Sequence, residues 1–273
     1  MDTIGLATGI FVIIILVFFS GELIWRDREN KINEVIDATP HISLISLSAK
    51  ALSLVSVAIL LHAFFILCGI CYQLAKGFYR IEPDVYFIDF FFTSLATYIF
   101  WSGVMIMIQV LSSNKYIGYF RSILVVFLWG KILLIFYVKS NMLSVGSTPK
   151  IRYSYMNGFG PFLEGVTWFN LYWVLFSFVC LLIAGALWNR GAVSALKERV
   201  QIANKQIPKN YRLLIFGTVF CWMIVAGFVF YNTQVLNKYK TSGETKQLAA
   251  NYEKEYKKYE RAEFPKINDI NLS

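Results

Sequence analysis

The chain has 273 residues, of which 57% are hydrophobic, 17% aromatic and only 16% charged, against about 25% charged in soluble domains. The charges cluster between long apolar stretches instead of lining every helix, which excludes an ordinary soluble fold. The formal charge of +9 suits an anionic membrane surface; no basic run is interleaved with aromatics in a polar segment, which excludes nucleic acid as a partner.

A helix that crosses a bilayer needs about 20 apolar residues to cover about 30 Å of hydrocarbon. Six stretches qualify, at about 4–25, 51–75, 86–111, 116–138, 167–188 and 213–231. Backbone groups in hydrocarbon must pair within their own segment. The expected fold is therefore all-α and polytopic, with about six spans in a permease-like domain over 1–231 and a polar helical tail over 232–273. The first stretch lacks a basic leader and a small-residue cleavage site, so it is expected to stay in place as a span.

Between the first two spans, Ile32, Val35 and Ile36 fall at i, i+3 and i+4 with charges opposite, and Pro40 stops the pattern. This predicts a short amphipathic helix within 26–40 at the membrane surface. The residues alone leave two readings open, an ordinary interfacial helix and a docking element for a cytoplasmic partner. Twelve lysines and arginines flank the connections on this side of the expected spans and five flank the other. The richer side is expected in the cytoplasm, which puts the tail after Tyr231 outside. Trp25, Tyr72, Tyr116 and Trp188 sit where spans meet headgroups, as aromatic belts do.

Charges inside spans are costly and mark sites. Glu22 lies one turn before Arg26 and is expected to pair with it. Arg121 is near enough to a span end to reach headgroups, whereas Lys131 lies deeper and is the candidate for a buried functional or pairing charge. His62 falls mid-span and reads as an interhelical hydrogen bonder. Cys68 and Cys71 form a C-x-x-C pair with no His or second pair beside them, so they read as small packing residues. The chain has no H-E-x-x-H, no G-x-x-x-x-G-K-[ST] and no G-x-S-x-G, so no enzyme activity, metal or cofactor is expected. The stretch 140–165 holds Gly146, Pro149, Gly158, Gly160 and Pro161 and is too broken for one helix. In the tail, 247–261 reads as a polar helix that Pro265 ends.

The run Arg26-Asp-Arg28-Glu29, then Glu34-Val35-Ile36 and Pro40, with Lys50 before the next apolar run, resembles the coupling helix of the ABC-2 type (type-2 ABC exporter) permease. Further cues resemble the branch of that family fused to an M1-type aminopeptidase: Gly21-Glu22-Leu23-Ile24-Trp25-Arg26, Asn114-Lys115-Tyr116-Ile117-Gly118-Tyr119, Leu187-Trp188-Asn189-Arg190-Gly191, and the Tyr/Lys/Glu-rich stretch at 251–260. The resemblance implies a transporter permease, exporting across a bacterial inner membrane. A separate cytoplasmic ATPase would power it through Arg26, Arg28, Glu29, Glu34, Val35, Ile36 and Pro40. It also implies another permease half or a second copy as partner. In that family more spans precede the Gly-Glu-Leu-x-Trp element and the peptidase follows the tail, so this chain is expected to be the second half of a permease region, a fragment. The competing expectation is a non-transporting anchor for an M1-like peptidase absent from this chain. A secondary transporter would need broken helices at the midplane and inverted repeats, which the sequence does not suggest.

Overall fold

The computed structural model describes residues 2–39, 43–79, 81, 83–135, 140–149, 151, 158–188, 196–237 and 242–260, and among them the regular elements are helical. Helix α1 is Asp2–Glu29, followed by the short α2, Asn33–Ala38, and the long α3, Ser43–Ala75. Next, α4 (Pro83–Asp89), a π-helical stretch (Phe90–Leu95) and α5 (Ala96–Leu111) run on as one rod. Helix α6 is Lys115–Ile135 and α7 is Gly160–Ala186. A surface helix α8, Leu196–Gln206, leads into α9, Lys209–Phe230, which ends in a π turn, Tyr231–Leu236. Helix α10, Ser242–Tyr256, closes in a 3-10 turn, Lys257–Tyr259.

Local chemistry sets the boundaries. Proline occupies the first helical position of α4 and the first turn of α7, and precedes α9 at Pro208, where its missing N–H costs nothing. Helix α3 ends at Gly77, whose φ of 81° is free only to glycine; Phe78 N–H then reaches back to Gln73 O in a Schellman closure. Asn114 starts α6 by accepting from Ile117 N–H at 2.8 Å.

Five of the described helical runs are long and apolar enough to cross a bilayer: Thr8–Glu29, Ser43–Ala75, Pro83–Leu111, Phe162–Ala186 and Lys209–Leu236. They match the first, second, third, fifth and sixth expected spans. The expected fourth span coincides with α6, whose side chains from 129 onward, Lys131 included, lie outside the described residues. The third rod starts at Pro83, three residues before the expected boundary, and α10 starts at Ser242, five residues before the expected tail helix.

Helix α5 is the hub. Tyr98, Phe100, Trp101, Met105, Ile106 and Gln109 are buried around its circumference, and it packs on α1, α3, α6 and, most extensively, α7. The α5–α7 seam closes at Gly103, where an added Cβ would sit 2.1 Å from Ser177 Oγ and 2.9 Å from Ser177 O. Such small-residue contacts let helices approach closely without a hydrophobic drive from water. The periphery is inverted relative to a soluble bundle. On α3, Leu52, Leu60, Phe64 and Leu67 are at least 60% exposed, as are Leu213, Phe216 and Phe220 on α9. Apolar faces of that extent are not stable in water, and they fit a multi-pass membrane protein with hydrocarbon as its outer solvent.

Candidate functional site

The C-terminal ends of α1, α5 and α7 and the N-terminal ends of α3, α6 and α9 gather at one end of the bundle, together with α8. This basic end holds most of the residues singled out from the sequence. The expected single surface helix over 26–40 is instead two elements. Arg26, Arg28 and Glu29 are the last residues of α1. Lys31 then takes φ of 57°, a left-handed conformation that ends a helix, and Glu34, Val35 and Ile36 belong to α2. The break occurs because the apolar stripe of α1 faces its neighbours while that of α2 does not, so one straight helix cannot serve both. Pro40 lies outside the described residues. Ile32 (48% exposed) and Val35 (69%) stand free on α2, and Arg26 and Glu34 are also exposed.

The root of this element is a set of cross-helix charges. Lys115 at the start of α6 reaches Glu22 at 2.7 Å and Glu29 at 3.3 Å. The expected Glu22–Arg26 pair is thereby corrected: the ion-pair partner of Glu22 is on another helix, because Arg26 points outward while α6 crosses α1 here. Hydrogen bonding to Glu22, opposed by desolvation and aided by Glu29, raises the pKa of Lys115 above the ordinary lysine value, so its charge is secure at neutral pH. Tyr119, one turn along α6, donates to Phe18 O at 3.2 Å. Its ring fills the space left by Gly21, where a Cβ would lie 2.2 Å from Tyr119 Cε1.

On the other flank, Lys50 of α3 donates to Asp27 at 2.6 Å and to Leu23 O. Trp188 takes Lys50 Nζ at 5.7 Å and Arg28 at 5.6 Å from its ring centre, and Arg28 also lies 5.2 Å from the Trp25 ring. These are cation–π distances. Trp25 donates its indole N–H to the fully buried Gln109 at 3.1 Å. The end of α1 is thus tied to α3, α5, α6 and the α7 terminus.

Sequence reading missed α8 and its arginine. Arg199 is 6% exposed and donates to Val110 O in the last turn of α5 at 2.8 Å. Desolvation lowers its pKa, although an arginine stays charged in proteins. Beside it Arg121 donates to Leu111 O at 3.2 Å. The signal was present: Leu196, Val200 and Ala203 recur at i, i+4 and i+7 with Lys197, Gln201 and Asn204 opposite, an amphipathic surface pattern.

Away from this end, His62 Nδ1 lies 2.8 Å from Tyr98 OH, the interhelical role expected of it. Cys68, Cys71 and Cys221 are exposed free thiols and Cys180 is buried. Among the described residues no three His, Cys, Asp or Glu side chains converge as metal ligands would. No protein-family model, curated protein or solved structure matches the chain.

Proposed function

We propose that the chain is the transmembrane part of an ABC-2 type transporter, an exporter with six spans whose basic end faces the cytoplasm of a bacterial inner membrane. A separate ATPase supplies the energy by pressing on α2 and the end of α1, and another permease half or a second copy completes the assembly. One observation carries this reading. A short helix exposes Ile32, Val35 and Glu34, and only three residues separate it from a spanning helix whose last turns are tied to four neighbours. A push on α2 therefore reaches α1, and through Lys115, Lys50 and Trp25 it reaches α6, α3 and α5 together. An interfacial helix with no partner needs no such root.

The test is recovery of an ATPase with the detergent-solubilised protein from its native host. Arg26→Glu with Glu34→Lys, and separately Val35→Asp, alter side chains that face solvent. Both variants should keep the thermal midpoint of the parent and lose most of the co-purifying ATPase. Recovery at the parent level from both variants would defeat the proposal. Arg28 is unsuitable for this experiment because its stacking on Trp25 and Trp188 links its loss to stability.

A further inference from the structure

The segment 140–149 has no regular helix, yet it reaches the middle of the bundle. Ser147 O accepts from Trp173 Nε1 at 2.8 Å, and Trp173 is the central residue of α7, thirteen residues from either end. Gly146, at φ of 67°, lies against Phe100 and Trp101, with its Cβ position 3.0 Å from the Phe100 ring. Phe100 is eleven residues from the basic end of its rod, about 16 Å along a helix and so close to the centre of about 30 Å of hydrocarbon. An indole spans only a few ångströms, so Ser147 is at hydrocarbon depth.

Irregular backbone at that depth is stable only when it is buried in protein or bathed in water. It is not buried in protein. Ser140 is 8% exposed, but each residue from Asn141 to Pro149 keeps accessible surface and Leu143 is 51% exposed. Met142 and Val145 pack inward on the core, whereas the turn is otherwise built from Ser140, Asn141, Ser144, Ser147 and Thr148. Ser147 Oγ donates to Asn141 Oδ1 at 3.2 Å, and Ser144 N–H and Leu143 N–H share Ser140 O. This is a hydroxyl- and amide-bearing surface without charge.

We infer that 140–149 is a re-entrant segment lining a water-filled vestibule that opens at the end opposite the basic one and reaches the bilayer midplane. It would receive water and the uncharged, hydrogen-bonding part of a solute. The inference rests on the membrane reading of the fold and is independent of any ATPase.

A thiol reagent that cannot cross membranes tests it, because thiolate forms in water and not in hydrocarbon. Cys68, Cys71 and Cys221 are first replaced by serine, leaving the buried Cys180. Ser144→Cys and, separately, Phe220→Cys are then introduced. Phe220 is 60% exposed and eleven residues into α9, so it stands at similar depth on the lipid side. In reconstituted vesicles, sulfonatoethyl methanethiosulfonate added from the side opposite the basic end should label Ser144→Cys at least tenfold faster than Phe220→Cys. Equal slow labelling of both would overturn the inference, whether lipid or a second chain covers the segment. Labelling of Ser144→Cys only from the basic side would overturn it too. A vestibule without ATPase recovery, or the reverse, would separate this inference from the proposed function.

Discussion

Gly103→Val is expected to lower the thermal midpoint of the solubilised protein more than any other glycine replacement in the spans. The cause lies in what the new side chain meets. At Gly103 the nearest atoms are Ser177 Oγ at 2.1 Å and Ser177 O at 2.9 Å. The hydroxyl can rotate away, at the loss of its 2.8 Å hydrogen bond to Ile99 O, but the carbonyl is fixed in α7. The helices must therefore separate along the most extensive seam in the bundle. Overpacking of this kind costs about 1–3 kcal/mol, and valine adds a stiff branched side chain in a helix. At Gly118 the obstacle is the end of the Gln109 side chain at 2.0 Å, which can move, so Gly118→Ala should cost less. Gly217 on α9 has nothing within 4 Å, and Gly217→Ala should be neutral or slightly stabilising through helix propensity. Seven tryptophans give an intrinsic fluorescence signal for the melts. Serine 177 provides the internal check: Ser177→Ala in the Gly103→Ala background should recover part of the loss and not all of it. Full recovery would mean that the carbonyl contact is unimportant, and no loss at Gly103→Val would mean that α5 and α7 are not packed as described.

The spans were legible because hydrocarbon imposes a length and a composition that any 20-residue window displays. Proline and glycine marked most of their ends. What the sequence did not display is which polar group meets which. Glu22 and Arg26 are four residues apart and suggest a local pair, but Lys115 lies 93 positions away and wins because α6 crosses α1 at that level. The same holds for Trp25 with Gln109, and for Arg199 with the carbonyl of Val110. The π stretch at Phe90–Leu95 is likewise a tertiary feature: Asn170 of α7 donates to Phe92 O there. The break at Lys31 was hidden because the charged residues on both sides of it continue a helical pattern. The broken composition of 140–149 announced a loop, but nothing in it announced that the loop would turn inward to Trp173.

Arg199→Ala is expected to release α8 while leaving the spanning bundle folded. The last carbonyls of a helix have no partner inside it and carry the negative end of its dipole. Arg199 brings a buried guanidinium to one of them, a charge-assisted bond worth about 1.5–3 kcal/mol. Its position on α8 explains why the helix depends on it. Ala203, one turn later, is the other described residue that α8 buries, and Val200 and Ile202 are about half exposed on either side, so apolar burial alone holds α8 weakly. Loss of the bond should therefore act as local opening. Amide exchange across 196–206 should rise by about tenfold or more, as about 1.4 kcal/mol is a factor of ten, with a smaller change in the global melt. Arg199→Lys should restore little, because an ammonium on a flexible stem lacks the guanidinium fork. Lys197→Ala, an exposed neighbour, should change neither measurement. If exchange in α8 is unaffected by Arg199→Ala, the helix is held by something other than the end of α5. A buried bond is also screened much less by salt than the surface charges of this end, so the difference between Arg199→Ala and the parent should persist at high ionic strength.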